Sequence, residues 1–214
     1  MRNFAVLLAL SVPSGLAAFS VGHCETHASP TAVTSAESNT ENRKLRRVEV
    51  GDTKPAHQCG AFYLAGQPAK EDLAKWKARG VRTVINLRMP QETDWNERAA
   101  VEALGMKYVS VPFAGPDTLS HKKIRDALHA LRTGRFSDQS NGDALPNKNK
   151  NAKPQPILLH CASSNRVGAI WYAHRILHDD WEPEAALKEA KTVGLRTMGY
   201  LEPVEAYIER VNAK

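Results

Sequence analysis

A cysteine followed closely by an arginine, across a run of small polar residues, can hold an oxyanion beside a nucleophile. The run His160-Cys161-Ala162-Ser163-Ser164-Asn165-Arg166 has that form. Thiolate is the nucleophilic state of cysteine, and helix N-termini and nearby cations favour it. Ala162, Ser163, Ser164 and Asn165 are small enough for successive backbone N–H groups to turn inward around one anion. Arg166 adds a planar, permanently charged fork suited to phosphate or sulfate. The loop works only if it joins a strand to a helix, because the first N–H groups of a helix lack internal acceptors and the helix dipole is positive there. Ile157-Leu158-Leu159-His160 reads as a buried strand, and residues 166–178 read as the helix. His160 has two readings: a hydrogen-bonding support around the cysteine backbone, or a buried strand histidine. A core thiol is the competing reading of Cys161, and the strand, the helix and Arg166 together weigh against it.

The elements that position this loop alternate along the chain. Strands are predicted over 61–65, 81–87 and 106–113, and helices over 70–79, 94–104 and 120–131, with Ser120 as N-cap. Two further helices, 182–193 and 201–211, follow the one that leaves the cysteine loop. Strands alternating with helices predict an α/β fold, a parallel-rich central sheet flanked by helices. Residues 134–156, rich in Asn, Lys, Ser, Gly and Pro, read as a surface insertion. Residues 21–57 carry few large apolar side chains and read as a disordered linker, with Val48 and Val50 a candidate short strand. The folded domain is therefore expected over 58–214.

The first 20 residues have a different character. Arg2, the apolar run Phe4 to Leu10 and the small residues up to Ser20 form the pattern of a secretory signal peptide. The run is shorter than the ~20 apolar residues of a spanning helix. A periplasmic or secreted protein is expected, with no stable membrane insertion after cleavage. The net charge of +6 favours anionic partners, but the basic residues form no stripe interleaved with aromatics, so nucleic acid is not expected. The three cysteines are too few for a disulfide framework. Cys59 is either a small apolar residue or a partner for Cys161. His174 and His178 stand one helical turn apart before Asp179 and Asp180, yet no third ligand is identifiable, so no metal is assigned. Trp171, Tyr172 and Ile176 read as helix packing, and no cofactor is expected. Arg88, after the strand ending in Ile85-Asn86-Leu87, either reaches the mouth of the site or pairs with Asp94 or Glu97.

Four segments share an order with a known group of enzymes: Leu64-Ala65-Gly66-Gln67-Pro68, Gly80 to Arg88, Val111-Pro112-Phe113, and His160-Cys161 through Arg166-Val167-Gly168-Ala169. On these, residues 62–207 resemble the bacterial beta-lactamase-hydrolase-like phosphatase family, within the protein tyrosine and dual-specificity phosphatase superfamily. The resemblance implies a cysteine-phosphatase-like fold and hydrolysis of phosphate monoesters through a thiophosphate on Cys161. Arg166 and the loop N–H groups would stabilise the equatorial oxygens. It also implies a general acid on a loop ahead of the cysteine strand, a place occupied by Asp117; the alternative is a plain turn residue, which Pro-Asp commonly is. The superfamily pattern is C-x5-R followed by Ser or Thr, whereas Cys161 to Arg166 is C-x4-R followed by Val167. Ser163 and Ser164 are the hydroxyls available to replace the missing one. A loop this short is also similar in shape to that of rhodanese-type sulfurtransferases, which hold a persulfide. Sulfur transfer on Cys161, or a non-catalytic anion-binding module, thus stand beside a phosphorylated or other anionic substrate.

Overall fold

The computed structural model describes residues 44–135 and 155–213. Its sheet runs β1 (Arg46–Arg47), β2 (Ala56–Cys59), β3 (Phe62–Ala65), β6 (Ile157–His160), β4 (Thr83–Asn86) and β5 (Lys107–Ser110) from edge to edge. Strands β3, β6, β4 and β5 are parallel, and β1 and β2 extend the sheet antiparallel. The expected parallel-rich sheet is therefore present. Every residue of β4 and β6 is buried, as befits interior strands covered on both faces.

Alternation along these strands sorts the core into two layers. Leu64, Leu159 and Ile85 lie in register and pack toward α3 (His121–Thr133), α4 (Asn165–Asp179), α5 (Pro183–Val193) and α6 (Leu201–Asn212). Tyr63, Leu158 and Val84, one residue earlier, face α1 (Asp72–Ala78) and α2 (Glu97–Ala103), where Trp76 is fully buried. The Ser120 hydroxyl caps α3 by accepting from Lys123 N, as its position predicts. Strands β4 and β5 are shorter than their apolar runs suggest, because pairing spans only Thr83–Asn86 against Lys107–Ser110. The flanking Val81, Leu87, Val111 and Phe113 are buried as loop residues instead.

One boundary differs from expectation. Residues 44–57 belong to the fold rather than to a linker, since they contribute β1 and the start of β2. Polar contacts compensate for their low apolar content. The buried Asp72 carboxylate accepts from Asp52 N at 2.8 Å and Thr53 Oγ1 at 3.0 Å, and Trp76 Nε1 donates to Thr53 Oγ1. These bonds fasten the 51–53 turn to the first turn of α1. The signal segment and most of the 134–156 insertion lie outside the described residues. Helix α3 ends at Gly134, whose φ of 64° is the left-handed conformation typical of a helix stop.

Cys59 and Cys161 are not disulfide-bonded to each other. Cys59 aligns through Phe62 with Ile157, four residues before Cys161 and so about 13 Å away along the strand direction. That separation exceeds the reach of a disulfide. Cys59 is instead a buried thiol that accepts from Arg175 Nη2 at 3.0 Å, and burial pushes its pKa up. His174 stacks on Trp171, with ring centroids 4.9 Å apart, and meets the edge of Phe62. The aromatic residues of α4 thus serve packing.

Candidate anion site at the end of β6

Strand β6 ends at His160, and Cys161 follows at the carboxyl end of the parallel strands with only 1% of its surface exposed. The Cys161 amide still donates to Ala65 O, which keeps the thiol in register with the sheet. Beyond it, Gln67 N donates to Ala162 O at 3.1 Å, and Gly66 bridges to Ser163. Gly66 has to be glycine here: a Cβ would lie 2.3 Å from Lys54 O and 3.2 Å from Ala162 O. Ser164 then takes a φ of 66°, the left-handed region that favours glycine, and turns the chain into α4. Gly168 N closes the first turn on Ser164 O at 2.9 Å. The strand, short loop and helix predicted around Cys161 are all in place, with Arg166 in the first turn of α4.

Arg166 is nearly buried, and its hydrogen bonds fix which edge it presents. Nη1 donates to Glu92 Oε1 and Phe113 O, each at 2.7 Å, and also approaches Leu87 O at 3.3 Å. Nη2 donates to Glu92 Oε2 at 2.6 Å. Glu92 therefore takes the terminal fork of the guanidinium. Among the described residues Nε–H and the second Nη2 hydrogen have no hydrogen-bond acceptor, and these share the other edge, the second geometry in which arginine grips an oxyanion. Arg166 is also close enough to Cys161 for the two to interact electrostatically. Burial works against its charge, but Glu92 and Cys161 outweigh that and raise its pKa. The hydrogen bonds from Arg166 in turn hold the Glu92 carboxyl down at about 2.

His160 is completely buried, with Nε2 3.1 Å from Glu97 Oε1. Its partner is thus a carboxylate behind the loop rather than the cysteine backbone. Glu97 also accepts from Gln67 Nε2 at 3.0 Å and Asn86 Nδ2 at 2.5 Å. Burial would raise the Glu97 pKa, but His160, Gln67 and Arg88 together bring it below the usual carboxylate value. Arg88 donates to Gln67 Oε1 and lies 3.6 Å from Glu92, so its partners are neither Asp94 nor Glu97 by direct contact.

Asp117 is exposed on the short 3-10 turn Pro116–Thr118. The turn is closed by Thr118 Oγ1, which accepts from Ala114 N and Gly115 N. The same loop borders the site: Phe113 O accepts from Arg166, and Ala114 O accepts from Tyr200 Oη at 3.3 Å. Among the described residues neither Ser163 nor Ser164 hydrogen-bonds the cysteine thiol, and the buried Ser164 Oγ has no hydrogen-bond partner. Ser163 Oγ accepts from Arg196 Nη2 at 2.8 Å, and the buried Ser164 Cβ abuts Gly194. Asn165 turns its amide away from the cysteine: Oδ1 accepts from Arg196 N and Thr197 N, and Nδ2 donates to Thr197 Oγ1.

Sequence reasoning missed Glu92, Glu97, Gln67, Arg196 and Tyr200. Glu92 and Gln67 carried a usable signal, since both follow the carboxyl ends of parallel strands, where ligands gather. Nothing in the local pattern around Arg196 or Tyr200 marks either one.

No protein-family model matches the sequence, and no curated protein matches it. Solved structures do. P. aeruginosa TpbA, crystallised as a cysteine-to-serine variant in complex with pTyr, aligns with a TM-score of 0.56 at 18% identity, covering 80% of this chain and 93% of TpbA. PTPMT1 in complex with PI(5)P gives 0.56 at 17% identity, covering 79% of this chain and 97% of the other. Tk-PTP in its active form gives 0.54 at 18% identity over 70% and 92%. The sheet and its flanking helices thus share the fold of these phosphatase structures.

Proposed function

We propose that this protein is a cysteine-dependent phosphatase acting on phosphate monoesters. The observation that carries the reading is Arg166: Glu92 occupies its terminal fork, leaving the other edge for an oxyanion beside Cys161. In the proposed reaction the Cys161 thiolate attacks phosphorus and the P–O bond to the leaving group breaks. Asp117 gives its proton to the departing oxygen. Arg166 and the loop N–H groups hold the three equatorial oxygens of the transferring group. Water then attacks the thiophosphate, the S–P bond breaks with thiolate as leaving group, and Asp117 takes the proton from water. Cys161 and Arg166 are the catalytic pair; Ala162, Ser163, Ser164 and Asn165 form the anion loop. His160 supports it from behind through Glu97.

The bound pTyr and PI(5)P of the two structural neighbours support a phosphorylated substrate. The order of Leu64 to Pro68, Gly80 to Arg88, Val111 to Phe113 and the cysteine loop supports placement in the beta-lactamase-hydrolase-like branch, while the C-x4-R spacing departs from its pattern. The N-terminal pattern of Arg2, the apolar run and the small residues before Ser20 supports a periplasmic or secreted enzyme.

The purified chain is expected to hydrolyse para-nitrophenyl phosphate under reducing conditions, and Cys161→Ser to abolish turnover while the far-UV circular dichroism is unchanged. Turnover surviving in Cys161→Ser would overturn the mechanism. Thiocyanate formation from thiosulfate and cyanide, with a persulfide mass on Cys161, would replace it with sulfur transfer.

A further inference from the structure

The cations around the loop are not equivalent. Arg166 is neutralised by Glu92, and Arg88 shares that carboxylate and Gln67. Arg196 is exposed and forms no salt bridge among the described residues, yet it is held in place. Its backbone N–H donates to Asn165 Oδ1 at 2.8 Å, and Thr197 N donates to the same oxygen at 3.1 Å. On one side of it Gly194 packs against Ser164, where a Cβ would come within 2.9 Å. Leu195 packs against Gly168, leaving no room for a Cβ there either, at 2.7 Å. The guanidinium then lies along the loop itself, with Nη2 donating to Ser163 Oγ at 2.8 Å and Ser163 O at 3.3 Å. Its Nε and Nη1 hydrogens have no acceptor among the described residues.

A long exposed arginine normally loses much of its binding power to rotamer entropy and screening. Here the backbone is pinned by a loop residue and one nitrogen is already docked, so less freedom is lost on engaging a ligand. We propose that Arg196 is a specificity-determining residue that receives a second anionic group of the substrate. The favoured class is then phosphate monoesters bearing a further phosphate or carboxylate near the scissile one. The inference rests on the anion-loop reading above: Arg166 holds the reacting phosphoryl group, and Arg196 holds its neighbour.

The test uses binding, so that it is separable from turnover. In the full chain carrying Cys161→Ser, dissociation constants are measured by calorimetry for phenyl phosphate, 3-carboxyphenyl phosphate and 1,3-phenylene bisphosphate. At least one of the two doubly anionic ligands is expected to bind about fivefold tighter than phenyl phosphate, the size of one partly exposed charge-assisted contact. Which one does so distinguishes a carboxylate from a phosphate neighbour. Arg196→Gln should erase that preference and Arg196→Lys should restore part of it. Lys107→Gln, which removes the same charge from the edge strand β5, should leave it intact. A preference that survives Arg196→Gln, that vanishes equally in Lys107→Gln, or that is absent from the parent overturns the assignment. Failure of phenyl phosphate itself to bind would overturn the anion loop and this inference together.

Discussion

A guanidinium buried beside a thiol needs a counter-charge, and Glu92 supplies it from the loop after β4. Removing that charge while keeping the shape, as in Glu92→Gln, leaves Arg166 with its terminal fork poorly held. A loss of about 2 kcal/mol of positioning corresponds to a fall of roughly 30-fold in kcat/KM for an aryl phosphate. The pH dependence follows from the Glu92 carboxyl, whose ordinary value of 4.5 is depressed to about 2. A depressed carboxyl contributes fully above its ordinary value and loses its contribution as pH falls through its folded value. The pair therefore supplies on the order of 2 to 3 kcal/mol at neutral pH, and this fades between about pH 4.5 and 2. Acid titration of denaturant stability in parent and Glu92→Gln should show the two curves converging near pH 2. At this scale Cys161 and Arg166 were legible because they lie on one local segment and their types carry the chemistry. Glu92 was legible only as a residue past a strand end, because its pairing with Arg166 depends on where the loop after β4 meets the first turn of α4.

At the scale of elements, contact between segments shapes the loop more than its own sequence does. Gly66 at the end of β3 lets Lys54 O and Ala162 O approach a position where no side chain fits. Gly66→Ala is expected to destabilise the fold by about 2 to 4 kcal/mol, since the nearest obstacle is backbone rather than a side chain able to move. A fall in the urea midpoint at unchanged slope would register it. Helices and interior strands were readable because apolar spacing and glycine stops mark them. Strands β1 and β2 were not: Arg46-Arg47 and Ala56-His57-Gln58-Cys59 offer little apolar pattern. The turn between them is fastened by the Asp72 carboxylate and Trp76, which lie 19 or more residues further along the chain.

For the whole molecule, acid stability also depends on a residue in the aromatic packing of α4. His174 is packed between Trp171, Phe62 and His178, and its pKa is lowered to about 3. Burial is the main cause, and the charges of Arg175 and Arg132 add to it. Asp179, 3.8 Å from the ring, is already bonded to Arg175. Between its ordinary value of 6.5 and about 3 the unfolded chain takes up a proton that the native ring refuses, so stability falls as pH drops through that window. His174→Phe should flatten that fall, and a melting temperature as steeply pH-dependent as the parent's would refute the assignment.

The antiparallel extension has a mechanical corollary. Gly66 N donates to Pro55 O at 2.8 Å at the head of β2, and the next residue, Gln67, donates to Ala162 O. Any pull on the chain ahead of residue 44 is transmitted along β1 and β2 to Pro55 and Gly66, and through Gln67 to the residue beside Cys161. A tether on that side would load the anion loop before it strained the helices of the far layer. Turnover would then act as a gauge of tension applied ahead of residue 44, falling while the bulk of the fold still held.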